Sequence, residues 1–123
     1  MRPEERDPAY LWDMLEAARA IADFTHDLTL SEFLAAEMDK EITRLAVERK
    51  LGILGEAARR VSSRFREEHP EIPWRQIVSL RNIISREYDK VNYTLIYRIA
   101  REQIPELITL LEPLIPPLPP LEE

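Results

Sequence analysis

Cysteine is absent from the 123 residues, so neither disulfides nor thiolate chemistry is available, which fits a cytoplasmic protein. Glycine occurs only twice, and both copies sit inside one apolar-periodic segment, which excludes a Gly-rich phosphate loop. Histidine also occurs twice. His26 has no nearby histidine or cysteine, so no metal site is readable and no cofactor is expected. No apolar run approaches the roughly 20 residues that a membrane span needs. The opening residues Met1 to Pro8 carry no hydrophobic region, so no signal peptide is expected. Positive charge is scarce as well: 17 Lys and Arg face 23 Asp and Glu, a formal net charge of −6. Broad nucleic-acid surfaces rest on a basic field, so any such contact is expected to be local and confined to an arginine-lined cleft.

What is present is helical periodicity. Apolar residues make up 45% and charged residues 33% of the chain, a globular composition of one-domain size, and strand alternation is missing throughout. Asp7 suits a helix cap and Pro8 a first helical position, opening a helix on Leu11, Met14 or Leu15, Ala18, Ile21 and Phe24 or Thr25. Tyr10 and Trp12 flank that stripe as core or dimer-interface aromatics. Thr29 with Glu32 matches a capping box that opens a short helix through Phe33 and Leu34, after a turn holding His26.

The longest pattern runs from about Asp39 to Glu68 on Ile42, Leu45, Ala46, Leu51, Ile53, Leu54, Ala57, Ala58, Val61 and Phe65. Gly52 and Gly55 within it each cost about 1 kcal/mol against alanine, a cost expected to admit close approach of another helix. Glu56 beside them is either a partly buried partner for an arginine or an exposed carboxylate. His69-Pro70-Glu71-Ile72-Pro73-Trp74 breaks the pattern, with His69 at a helix C-terminus and Trp74 opening a central helix. A last helix follows from about Tyr93 on Leu95, Ile96, Ile99, Ile104, Leu107, Ile108 and Leu111, kinked or restarted at Pro105. The expected organisation is a helical bundle over residues 1–112 and an extended Pro-rich tail over 113–123. Four main helices, one short helix and brief connections predict an all-α, up-and-down helical bundle.

One stretch stands out: Ser79-Leu80-Arg81-Asn82-Ile83-Ile84-Ser85-Arg86-Glu87-Tyr88. At about 100° per residue, a helix puts Arg81, Ser85 and Tyr88 nearly in line and Asn82 with Arg86 on the adjacent line. Leu80, Ile83 and Ile84 then back the strip. Guanidiniums are permanently charged, fork-shaped donors suited to phosphate and carboxylate. Two so close together imply an anionic partner, a carboxylate from another chain, or plain solvation.

This strip resembles the signature of the HEPN superfamily, and the chain as a whole is similar to the HepT-like toxins of toxin–antitoxin pairs. Tyr10 to Ala17 is similar to the family's opening helix. Leu51-Gly52-Ile53-Leu54-Gly55-Glu56-Ala57 resembles its Gly-Glu-Ala helix, His69 to Trp74 its proline loop, and Arg81-Asn82 with Tyr88 and Val91 its catalytic motif. The resemblance implies a metal-independent endoribonuclease built as a homodimer with a composite site. Arg81 would contact the scissile phosphate and Asn82 would orient the substrate or the catalytic imidazole. The family's histidine, a general acid/base, falls at Arg86, which has no acceptor lone pair and cannot exchange a proton near pH 7. The site is therefore expected to be impaired. Tyr88 matches the tyrosine that a partner antitoxin, a minimal nucleotidyltransferase, modifies with AMP. The resemblance thus implies RNA as substrate, that antitoxin and a second copy as partners, and no membrane. The alternative is a non-catalytic HEPN subunit that binds nucleotide, RNA or the nucleotidyltransferase.

Overall fold

A computed structural model describes residues 3–84 and 91–116, and these form an all-α bundle with no strand among them. Helix α1 spans Pro3–Thr25, α2 Leu30–Phe33, α3 Met38–Arg60, α4 Ser63–Glu68, α5 Trp74–Val78 and α6 Leu80–Ile83. After the segment 85–90, α7 covers Tyr93–Arg98, a π turn Ile99–Gln103, α8 Ile104–Leu111 and a 3₁₀ turn Glu112–Leu114. Helices α1 and α3 pack side by side and antiparallel, because Asp7 near the start of one meets Ser62 just past the end of the other. Helix α8 returns along α1, where Arg19 pairs with Glu112 at 2.9 Å. The result is an up-and-down bundle, and α5 and α6 lean on α3 from the side.

The core follows from spacing. Leu11, Met14, Leu15, Ala18 and Ile21 of α1 are buried against Val47, Leu51, Leu54 and Ala58 of α3 and against Ile104, Leu107 and Leu111 of α8. Spacings of three and four put each set on one helical face, whose removal from water drives the packing at about 25 cal/mol per Å² of apolar surface. The capping box is formed: Thr29 Oγ1 accepts from Glu32 N, and Glu32 Oε1 accepts from Thr29 N at 2.9 Å. Phe33 is fully buried beneath Tyr93 and Tyr97, and Arg44 holds the following loop by donating to the carbonyls of Phe33 and Ala35. Asn92 caps α7 by accepting from Leu95 N at 3.0 Å.

Several expectations are corrected. Helix α1 begins at Pro3 rather than at an Asp7 cap. The Asp7 carboxylate is buried and instead accepts from Ser62 N at 2.8 Å and Ser62 Oγ at 2.7 Å, tying α1 to the α3–α4 corner. The long pattern from Asp39 to Glu68 is two helices. Val61 and Ser62 turn extended, and Ser62 Oγ caps α4 by accepting from Phe65 N. Ile42 and Leu45 belong to no core, being 60% and 46% exposed. Trp74 does open a helix, but Ser79 interrupts it after Val78, its N–H bonded to Arg75 O and its Oγ donating to Gln76 O. One expectation stands: the α-helix restarts at Pro105, which lies in the first turn of α8. Pro105 lacks the N–H that would bond to Arg101 O, and the wide π turn ahead of it, closed by Ile104 N–H to Ile99 O, lets the helix run on. The first tail residues curl rather than extend, with Leu114 and Ile115 resting on the core.

The glycines of α3 differ. A Cβ at Gly55 would stand 3.1 Å from the Ile77 carbonyl oxygen and 3.5 Å from Arg81 Cγ. At Gly52 the nearest atom would be the tip of Ile84 at 3.4 Å. Gly55→Ala should therefore destabilise the fold by about 1–2 kcal/mol, since backbone crowding outweighs the helix-propensity gain of about 1 kcal/mol. Gly52→Ala should lie within about 1 kcal/mol of the parent, on the stabilising side. Urea midpoints of the two variants check this, and equal midpoints would refute the close-approach account. Asp7→Ala, which strands two donors of Ser62, should cost about 1–3 kcal/mol in the same measurement.

Candidate functional site

Arg81 and Asn82 both sit on α6, the first turn after the Ser79 break, and both are exposed. They line the rim of an open cleft of about 890 Å³ between α4 and α5–α6. The floor is apolar, formed by Trp74 and Val78. Trp74 is buried, with its indole Nε1 donating to His69 O at 2.9 Å and its ring edge-on to Phe65, so it is a fixed part of that floor. The opposite wall is α4, which contributes Ser63, Arg66 and Glu67. Arg75 completes the rim, with Ser79 and Asn82 following at spacings of four and three on the same side of the chain.

Arg81 has one carboxylate partner among the described residues, Glu56, whose Oε1 lies 3.5 Å from the Arg81 Nη1. Glu56 is 34% exposed and takes up two further guanidiniums. Arg59 donates from Nε at 2.9 Å and Nη2 at 2.7 Å, a bidentate pair, and Arg60 donates from Nε at 3.3 Å. Three cations thus converge on one anion, and the site carries local positive charge within an acidic chain. Of the two readings open for Glu56, the arginine partner is the one realised.

Of the remaining motif residues, Val91 is buried in the core, while Arg86 and Tyr88 lie outside the described residues, as does Ser85. The alignment of Arg81 with Tyr88 and of Asn82 with Arg86 therefore falls there too. No histidine lines the cleft: His69 caps α4, stacks on Phe65 and faces Glu71, while His26 stands exposed in its turn beside Asp27. Arg66 and Arg75 also line the cleft, although neither belongs to the motif. Arg75 was detectable, because it follows Trp74 and shares helical spacing with Ser79 and Asn82. Arg66 was not, because only the turn at Val61-Ser62 folds α4 back toward α5.

Hydrogen bonding from Arg59, then its charge, then Arg60 hold the Glu56 carboxyl at about 2, down from its ordinary 4.5. A depressed folded-state value means that Glu56 stabilises the fold fully above about pH 4.5. That contribution is lost as pH falls through 4.5 toward 2. Thermal melts of the parent should therefore drop more steeply between pH 5 and about 2 than those of Glu56→Gln. Parallel pH profiles would show that the arginine cluster does not hold the carboxylate.

Comparison with known proteins adds the family. A family model described as "Ribonuclease HepT-like" matches residues 14–114. A Methanocaldococcus jannaschii protein named as a candidate RNase is 38% identical over 99 residues, covering 80% of this chain and 87% of its own length. A second candidate RNase of the same organism is 35% identical over 113 residues, 92% of this chain and 90% of the relative. A Thermococcus cleftensis protein named as a candidate ribonuclease HepT is 37% identical over 98 residues, 80% and 86% of the two chains. No solved structure matches the chain significantly. With nearly its whole bundle covered and the Arg81-Asn82 rim exposed on a cationic cleft, the chain belongs to the HepT-like ribonuclease family of the HEPN superfamily.

Proposed function

We propose that this protein is a HepT-like toxin of a toxin–antitoxin pair, a cytoplasmic, metal-independent endoribonuclease fold whose chemistry is impaired at Arg86. The observation that carries the reading is the exposed pair Arg81 and Asn82 on the rim of an arginine-lined cleft, in a chain of ribonuclease family. Cleavage of RNA without a metal needs two things: charge stabilisation at the scissile phosphate and proton transfer at the ribose 2′-hydroxyl and the leaving oxygen. Arg81 supplies the first, because its guanidinium remains charged and can offer two parallel donors to a phosphate. Asn82 beside it orients the substrate through its amide. In this reading two copies join as a homodimer, each completing the other's cleft.

Position 86 would supply the proton transfer, and arginine cannot. A guanidinium stays protonated throughout the physiological range, and it has no lone pair to accept a proton. It can still hold a phosphate, so binding survives where cleavage is lost. A minimal nucleotidyltransferase antitoxin would place AMP on Tyr88, and the added charge and bulk beside the cleft would exclude RNA. The second reading, a non-catalytic subunit that binds RNA, nucleotide or the nucleotidyltransferase, is favoured by the same arginine at position 86 and by the absence of a histidine from the cleft.

RNA cleavage in EDTA separates the two. Arg86→His should cut RNA about 10²–10⁴ times faster than the parent, the usual contribution of a general acid/base. Arg81→Ala in the histidine background should abolish the gain. If Arg86→His yields no ribonuclease while the parent binds RNA, the binding-subunit reading replaces the toxin reading.

A further inference from the structure

Arg66 and Arg75 take no part in the motif, yet both line the same cleft as Arg81. Arg66 is half-buried, and its Nε is buried without a hydrogen-bond partner among the described residues. A buried guanidinium N–H with no acceptor carries a desolvation cost that a native chain retains where a ligand repays it. Arg75 is exposed on the facing helix, one residue from the Trp74 floor. Serines flank both cations: Ser63 lies on the α4 wall and Ser79 at the α5–α6 break. Among the described residues Glu67 is the one carboxylate on the lining, which it shares with three guanidiniums.

We infer that Arg66 and Arg75 form a second phosphate subsite, which holds the backbone of single-stranded RNA one or more nucleotides away from the phosphate at Arg81. The inference rests on the ribonuclease reading above and extends it to the length of RNA engaged. An acidic protein repels RNA at long range, so affinity must come from a few aligned cations, and a second pair along the cleft supplies them. The apolar floor of Trp74 and Val78 gives the intervening base a surface that tolerates any sequence. Recognition at this subsite is therefore of backbone and strandedness rather than of base identity.

The test is binding of 2′-O-methyl hexauridylate, which cannot be cut through its 2′-oxygen, followed by fluorescence anisotropy across a salt series with the full chain. Arg75→Gln and Arg66→Gln should each weaken binding about three- to tenfold, and each should lower the salt slope by about 0.7, the value for one lost phosphate contact on a single strand. A 2′-O-methyl uridine dinucleotide, with one phosphate, should compete equally well against both variants and the parent, and poorly against Arg81→Ala. Arg75 is exposed, so Arg75→Gln carries the test even if Arg66→Gln lowers stability. Hexamer affinity and slope equal to the parent in Arg75→Gln, with Arg81→Ala still weakened, would overturn the subsite and leave the ribonuclease reading standing. Equal loss for dinucleotide and hexamer would merge these arginines with the Arg81 subsite and overturn a separate one. No binding of the hexamer by the parent would sink the ribonuclease reading and the subsite together.

Discussion

The distance between α3 and the α5–α6 corner is the constraint on which the cleft depends. Because residue 55 is glycine, the Ile77 carbonyl can come to within 3.1 Å of where a side-chain carbon would begin. That approach seats Ile77 and Leu80 in the core and brings Arg81 over the surface of α3, within reach of Glu56. A methyl group at this point would lift the α5–α6 corner and with it the whole arginine rim. The flexibility that glycine costs an isolated helix is thus exchanged for position at the site. The Asp7–Ser62 contact acts in the same direction from the other end, since it fixes the corner from which α4 turns back to form the opposite wall.

Electrostatics at the site run against the chain's overall balance. With a net charge of −6, the protein offers RNA no general attraction. What it offers is local: Arg59, Arg60 and Arg81 gathered on one carboxylate, and Arg66 and Arg75 on the adjoining cleft. Glu56 limits the repulsion within the first group while leaving it net positive. Its strongly depressed pKa expresses the same fact from the carboxylate's side. Short-range charge of this kind is screened within about 8 Å at physiological salt, so it selects ligands that enter the cleft rather than ligands that pass by.

Much of this was legible in the chain. The capping box at Thr29, the start of the last helix near Tyr93, the His69 helix end and the role of Gly55 all follow from local rules, because each depends on residues a few positions apart or on a residue type with one function. Periodicity misled where a helix face has no partner in its own chain. Ile42 and Leu45 keep the spacing of core residues, yet both side chains are exposed. It misled again at Val61-Ser62, where apolar spacing continues through a break that the Asp7 carboxylate, 55 positions away, holds in place.

Helical class, the Thr29 capping box, the glycine contact and the Arg81-Asn82 pair were determined by the sequence alone, since turn-by-turn spacing and capping chemistry are local. The family motif order was legible there too, as was the arginine at 86 that cannot exchange protons. Only the tertiary structure decided that Glu56 engages three arginines, that Asp7 holds a corner instead of a cap, and that Arg66 and Arg75 share a cleft with Arg81. Those contacts join residues on different helices, and their geometry is set by how the helices pack, which spacing along one chain does not encode.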